Sequence, residues 1–262
     1  MVKQHYLLSP LNLSRLTYHE VEKEIELLPA LIFPLGGCEQ YGQLGALGVA
    51  HACAEALANA LAEKTRLLCA PVVNYGCSMP FQSFGGTAGI KSRTLINLLC
   101  ETIRMWLFQG FKLIVIVDAL MENHETIALV EKRLKSSHPD GKIIRFSLQC
   151  DPRVRAFIAK NIPGMEMGRT EYGMLSMAAW IDSALVRQPA GIDAPTIRPD
   201  AENFKRWHKR GADPEQFRKF FPEGSSSAFA NNYNADFGKQ LFGYILSLLE
   251  EDVALPVQSL QK

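Results

Sequence analysis

Gln109-Gly110-Phe111-Lys112-Leu113-Ile114-Val115-Ile116-Val117-Asp118 is the stretch whose reading decides the fold. Five consecutive Leu, Ile and Val side chains with no polar alternation read as a strand covered on both faces, the pattern of a parallel sheet. Upstream, Leu95, Leu98, Leu99, Ile103, Trp106 and Leu107 recur at helical spacing. Downstream, a helix is expected from Asn123 to about Lys135, then a Pro139-Asp140-Gly141 turn and a strand over 142–148. Helix, strand, helix, strand at these lengths make βαβ units.

The same alternation extends towards the N-terminus. Thr17 and Glu20 have capping-box spacing and open a short helix ending near Leu28. Residues 30–35 form an apolar run interrupted only by Pro34, and Gly36-Gly37 turns out of it. Val49, Cys53, Leu57 and Leu61 stripe an Ala-rich helix, and 67–73 is the next strand, ending at Asn74-Tyr75-Gly76. The second half is less regular. It holds a helix near 174–180, a stretch with Pro and Asp over 189–200, and a final amphipathic helix over 236–250 carrying Phe237, Leu241, Ile245 and Leu248 or Leu249. The expected architecture is a three-layer α/β/α fold with a mostly parallel central sheet. No repeat or break in composition divides the chain, so 1–262 is expected to be one domain. Ligands of open parallel sheets sit outside the carboxyl ends of the strands, which marks 37–42, 74–87 and 118–124.

Composition narrows the function. A formal charge of +1 over 262 residues provides no basic face for nucleic acid. The dense basic cluster Lys205, Arg206, Lys209 and Arg210 reads as a solvated helix face. No apolar run reaches the ~18–20 residues of a membrane span, and residues 1–10 lack the apolar segment of a secretory signal. The six cysteines are scattered without CxxC pairs, the usage of a reduced, cytoplasmic protein.

The three loop segments carry a family resemblance. Pro34-Leu35-Gly36-Gly37-Cys38-Glu39-Gln40-Tyr41-Gly42 resembles the creatininase (creatinine amidohydrolase) signature, proline, any residue, glycine, two residues, then Glu-Gln-His-Gly. Tyr75-Gly76 through Phe84-Gly85-Gly86-Thr87 is similar to that family's Tyr-Gly…His…Phe-Pro-Gly-Thr segment. Asp118 to Asn123 resembles its Asn-Gly-His-x-x-Asn run, and Gly168-Arg169-Thr170-Glu171 the end of its His-Ala-Gly-x-x-Glu-Thr-Ser motif. The residues from Ala235 to Gly238 also fit.

The resemblance implies a creatininase-like fold, a cyclic or dihedral homo-oligomer such as a hexamer, and hydrolysis of a C–N (amide) bond in a small molecule. The family's usual cofactor is a pair of divalent metals (Zn or Mn), which ionise a water and polarise the carbonyl. Glu39 and Glu122 keep the positions of two family ligands. Tyr41 replaces a His, Ala50 falls where a bridging Asp is expected, and Leu120 replaces the second His; Phe81 and Glu166 also stand where His is usual. The metal ligands are therefore unknown beyond Glu39 and Glu122. The candidate catalytic residues are Glu39, Tyr41, Glu122, His124 and Glu171.

Each has a plainer alternative. Tyr41 is a proton donor or an aromatic filling a lost cluster, and Glu171 a site acid or a partner of Arg169. His124 and His51 are replacement ligands or surface and capping histidines, and Cys38 is a nucleophile or an inert thiol. Two functions follow, a divergent amidohydrolase with an altered or lost two-metal site, or a non-catalytic scaffold or partner subunit. In either case Glu39 and Glu122 are expected to face one crevice, with Tyr41, His124 or Arg169 bonded to one of them.

Overall fold

The computed structural model describes residues 8–162, 171–188, 213–222, 224 and 232–261. Strands β1 (Ala30–Leu35), β2 (Leu68–Cys69), β3 (Leu113–Asp118) and β4 (Lys142–Ser147) form one sheet in the order β2-β1-β3-β4, every neighbouring pair parallel. Around it lie α1 (Tyr18–Leu27), α2 (Val49–Thr65), α3 (Ser92–Phe108), α4 (His124–Ser137), α5 (Pro152–Asn161), α6 (Glu171–Ile181), α7 (Pro214–Phe220) and α8 (Ala235–Leu260).

The apolar run that decided the fold is buried throughout as β3. Successive side chains of a strand point to opposite faces, so it feeds two cores. Leu113, Val115 and Val117 join Ala30 and Ile32 of β1 beneath α2, α5, α6 and α8. Ile114 and Ile116 join Leu31, Phe33 and Leu35 beneath α3 and α4, with Val21 and Ile25 of α1 packed on the same core. This is the expected three-layer arrangement.

β2 is shorter than expected. The ladder stops at Cys69, and pairing returns only as the isolated bridge Leu35↔Val73. Two prolines explain the gap. Ile32 O, Pro34 O and Gly36 N all bond to this side (Ala70 N 2.8 Å, Val73 N 3.1 Å, Val73 O 2.8 Å), so Pro34 presents no donor where a continuous ladder needs one. Pro71 lacks a donor in the opposite chain. Thr17 caps α1 with a complete capping box, as its spacing with Glu20 predicts.

In the second half α6 is longer than the expected helix, and α8 continues to Leu260 through Pro256. The short helices α5 and α7 lie outside the sequence reading. Each opens on an Asp-Pro pair, with Asp151 accepting from Arg153 N (2.8 Å) and Asp213 from Glu215 N (2.9 Å). α6 and α8 cross at backbone contact: a Cβ on Gly238 would lie 1.9 Å from Ser176 O, and one on Gly173 2.9 Å from Leu241. Ser176 Oγ also accepts from Asn234 N at 3.0 Å, just ahead of α8. The expected features at 189–200 and at Lys205, Arg206, Lys209 and Arg210 lie outside the described residues. Among those described, no helix is long and apolar enough to cross a membrane.

Candidate active site

From β1 the chain runs through α2, on one face, to β2; from β2 it returns through α3, on the other face, to β3. The connections therefore diverge between β1 and β3, the position where open parallel sheets hold their ligands. The register Leu35↔Asp118 sets residues 36–39 level with 119–122. Leu120, fully buried, lies between the loops: a Cβ on Gly37 or on Gly76 would come within 2.4 Å of its Cδ1. The three segments marked from the sequence thus converge on one side chain.

Glu39, on the first of these loops, is buried, its backbone N donating to Leu47 O at 3.1 Å. Burial, and then the Glu122 charge, push its carboxyl well above the usual range; Ser78 draws it down, and Asp118 and Glu171 push it further up. Ser78 is close enough to act on Glu39, yet Ser78 Oγ and Glu39 Oε2 are both buried without a partner in hydrogen-bond geometry. An unpaired buried acceptor costs about 1–3 kcal/mol. Tyr41 is buried too. Its hydroxyl is pushed well up by burial, then by Glu39, Cys53, Glu122 and Glu171, and it accepts a 3.4 Å bond from Gln149 Nε2.

Asp118 ends β3 with its acceptors filled. Asn123 Nδ2 (2.9 Å) and Leu120 N (3.3 Å) donate to Oδ1, and Ser147 Oγ (3.2 Å) donates to Oδ2. Asn123 Oδ1 in turn accepts from Cys77 N at 2.9 Å, tying the loop after β2 to the end of β3. Burial nevertheless raises Asp118 to about 7 against the pull of these bonds.

The structure gathers Glu39, Tyr41, Glu122 and Glu171 into one electrostatic neighbourhood, and sets His124 apart. His124 opens α4 and lines a small recess with Asp118, Arg145 and Ser147. Its pKa is lowered by desolvation, Arg145 and Arg155 and raised by Glu125. No hydrogen bond joins Tyr41 or His124 to Glu39 among the described residues, and Arg169 and Glu166 lie outside them. His51 bonds through Nδ1 to Asn74 Oδ1 and sets Nε2 3.6 Å from Glu55, while its backbone presses on Gly36. Cys38 Sγ donates to Gly86 O at 3.4 Å. Ser78, Gln149 and Cys53 were missed from the sequence, although Ser78 falls within the marked loop 74–87.

Phe81 stands in an aromatic cluster, its ring 5.3 Å from Phe217 and edge-on, with Phe221 and Phe84 alongside. Gln40 Nε2 reaches the same region at Gly224 O (2.7 Å). The position of a usual family His therefore anchors α7 against the second segment, while Gln40 of the first motif bonds just past the helix.

An open, all-parallel α/β/α sheet with a cluster of acids at its switch point defines the class. A family model described as creatinine amidohydrolase (Creatininase) matches residues 14–251, and the chain belongs to the creatininase family. Solved structures agree in fold. Creatinine amidohydrolase (creatininase) and a structure described as "Creatininase Mn" each superpose with a TM-score of 0.73 at 20% identity, over 94% of this chain and 98% of theirs. A putative creatinine amidohydrolase from Bacteroides fragilis gives 0.64 at 14% identity, over 94% and 97%. No curated protein matches the chain.

Among the described residues, two positions of the family's metal-ligand pattern do not fit a metal pair. Ala50 and Leu120 carry no donor atom, both are fully buried in the apolar core, and Leu120 fills the space between Gly37 and Gly76. Among the described residues no three His, Cys, Asp or Glu side chains converge as metal ligands would. A two-metal clamp requires such a donor set on both ions.

Proposed function

We propose that the chain is a divergent amidohydrolase that opens a C–N (amide) bond of a small molecule at an altered site without the family's metal pair. One observation carries the reading: Glu39 keeps a buried, unpartnered carboxyl oxygen amid three other acids, while neighbouring ligand positions have become Ala50 and Leu120. A merely structural remodelling gains by replacing an unpaired buried acid as well. The upward shift favours the protonated form of Glu39, the form that can deliver a proton to a departing nitrogen, and Glu122 is the neighbouring carboxyl assigned to take the proton of the attacking water. Net, one water is consumed, giving a carboxylic acid and an amine. Tyr41 and Glu171 stand in the same acidic cluster, and a small-molecule substrate in a cytoplasmic homo-oligomer is the setting the family suggests.

The test is to incubate the purified chain with linear and cyclic amides, creatinine among them, and follow amine release by NMR. Turnover that falls at least about 100-fold in Glu39→Gln supports the reading. Turnover indifferent to that change overturns the role of Glu39, and no turnover on the whole panel favours the second reading, a non-catalytic scaffold or partner subunit, which the apolar Leu120 plug supports.

A further inference from the structure

Tyr41 enters the acidic cluster on a fixed base. Gly45 N donates to Tyr41 O at 3.1 Å, and a Cβ on Gly45 would come within 2.4 Å of Tyr41 Cβ and 2.8 Å of Leu175 on α6. The turn that carries the ring is therefore closed against the core. The tip of the ring is held from across β3 by Gln149, two residues past β4.

Gln149 can meet Tyr41 in one sense only. Its amide tip lies 2.6 Å from Ala119 O, and a carbonyl accepts without donating, so the nitrogen Nε2 faces this side. One Nε2 hydrogen goes to Ala119 O and the second to the Tyr41 hydroxyl at 3.4 Å. Gln149 is buried, and its backbone carbonyl accepts from Arg155 Nε of α5 at 2.9 Å, so the donor stands on a tied backbone. A hydroxyl that accepts from Gln149 keeps its own hydrogen for another partner. Tyr41 is buried, and among the described residues its hydroxyl donates to none. Glu39 Oε2 and Ser78 Oγ are buried in the same unmet state, and Ser78 acts on Glu39. Three unmet polar groups at one site point to a ligand that completes them.

We propose that Gln149 is a positioning residue: it turns the Tyr41 hydroxyl so that its hydrogen meets the carbonyl oxygen of the amide whose nitrogen Glu39 serves. The inference rests on the amidohydrolase reading and assigns the group that polarises the carbonyl. As water adds to the carbonyl carbon, charge gathers on the oxygen, and a donor already aimed at it stabilises that charge without reorganising. When the C–N bond breaks and the carbonyl re-forms, the hydrogen remains on Tyr41. Gln149 touches no reacting atom and acts only through the hydroxyl.

The experiment labels the tyrosines of the whole chain with 13C at Cζ and assigns Tyr41 by the signal lost in Tyr41→Phe. Creatinine and acetamide are then titrated into the wild type and into Glu39→Gln. At least one of them should move the Tyr41 signal, and Gln149→Met, with unchanged circular dichroism, should remove most of that response. Gln149→Glu keeps the length but offers acceptors, so it should draw the Tyr41 hydrogen to itself and lose the response likewise. On an amide that is turned over, Tyr41→Phe should lower kcat about 100-fold with KM little changed. Gln149→Met should lower kcat about 10-fold, and the double variant should be no slower than Tyr41→Phe alone. An amide that moves the Tyr41 signal through Gln149 without being hydrolysed supports the positioning and refutes the hydrolase reading. A Tyr41 signal indifferent to both amides overturns the inference. So does a response that survives both Gln149 variants, or kcat losses that multiply in the double variant.

Discussion

Two neighbouring strands end on a buried carboxyl, and the two ends solve the problem differently. At the end of β3, Asp118 accepts from Asn123, Leu120 and Ser147, and through Asn123 it fixes the loop after β2. At the end of β1, Glu39 is as deeply buried but keeps one oxygen without a partner, beside a Ser78 hydroxyl in the same state. Both carboxyls are pushed up by burial, yet only one is tied into the scaffold. The contrast teaches that burial of an acid says little about its use until its acceptors are counted: Asp118 is framework, and Glu39 is left open to something else.

The sharpest test of this contrast removes each acid in turn. Asp118→Ala strands three buried donors and should cost about 3–5 kcal/mol in urea unfolding, whereas Glu39→Gln should change stability by no more than about 1 kcal/mol. Equal losses at the two positions would break the distinction. Next comes the partition between the two ends. Leu120→Ala leaves a cavity against Gly37 and Gly76 and should cost about 2–4 kcal/mol, read as a lower urea midpoint at unchanged slope.

The smallest effect is in pH. Both folded pKa values are raised, so each group's contribution is complete below its unfolded value and is lost as pH rises through its folded value. For Asp118 that window runs from 3.8 to about 7. Stability should fall on the order of 2 kcal/mol between pH 5 and 7, and Asp118→Asn should flatten this fall. Glu39 should likewise lose its share as pH rises above 4.5, a slope that Glu39→Gln removes. A stability that climbs from pH 5 to 7 would reverse the sign and break the comparison.

The sheet was legible because periodicity and burial coincide there: an unbroken run such as that of β3 has few alternatives once helices flank it. The loops that converge on Leu120 were legible from strand ends alone. Other features were hidden for physical reasons. The loss of β2 after Cys69 depends on which edge of β1 Pro34 presents, a matter of register. α5 and α7 are too short for apolar periodicity to speak, although their Asp-Pro starts were in view. His124 lies close to Glu122 in sequence, but its ring belongs with Arg145 and Asp118, a direction that spacing does not encode. The pairing of Phe81 with Phe217 joins segments far apart in the chain, and only the fold reveals it.

The backbone contact between Gly238 and Ser176 also has a consequence in time. The α3/α4 side of the sheet is covered by residues up to Ser137, so half of the sheet can close early in synthesis. The other side waits for α6 and α8: Phe237, Leu241, Ile245 and Leu249 complete its core, Glu250 meets Lys64 at 2.8 Å, and Asp252 meets Arg153 at 2.7 Å. Ribosomes add about 5–20 residues per second, so for about 6–25 s, while the roughly 120 residues between the two closures are made, this side is covered only by α2 and, later, α5. During that interval the nascent chain presents the apolar flanks of α2 and α5 that α6 and α8 will bury, a surface that a holdase chaperone can bind until α8 arrives.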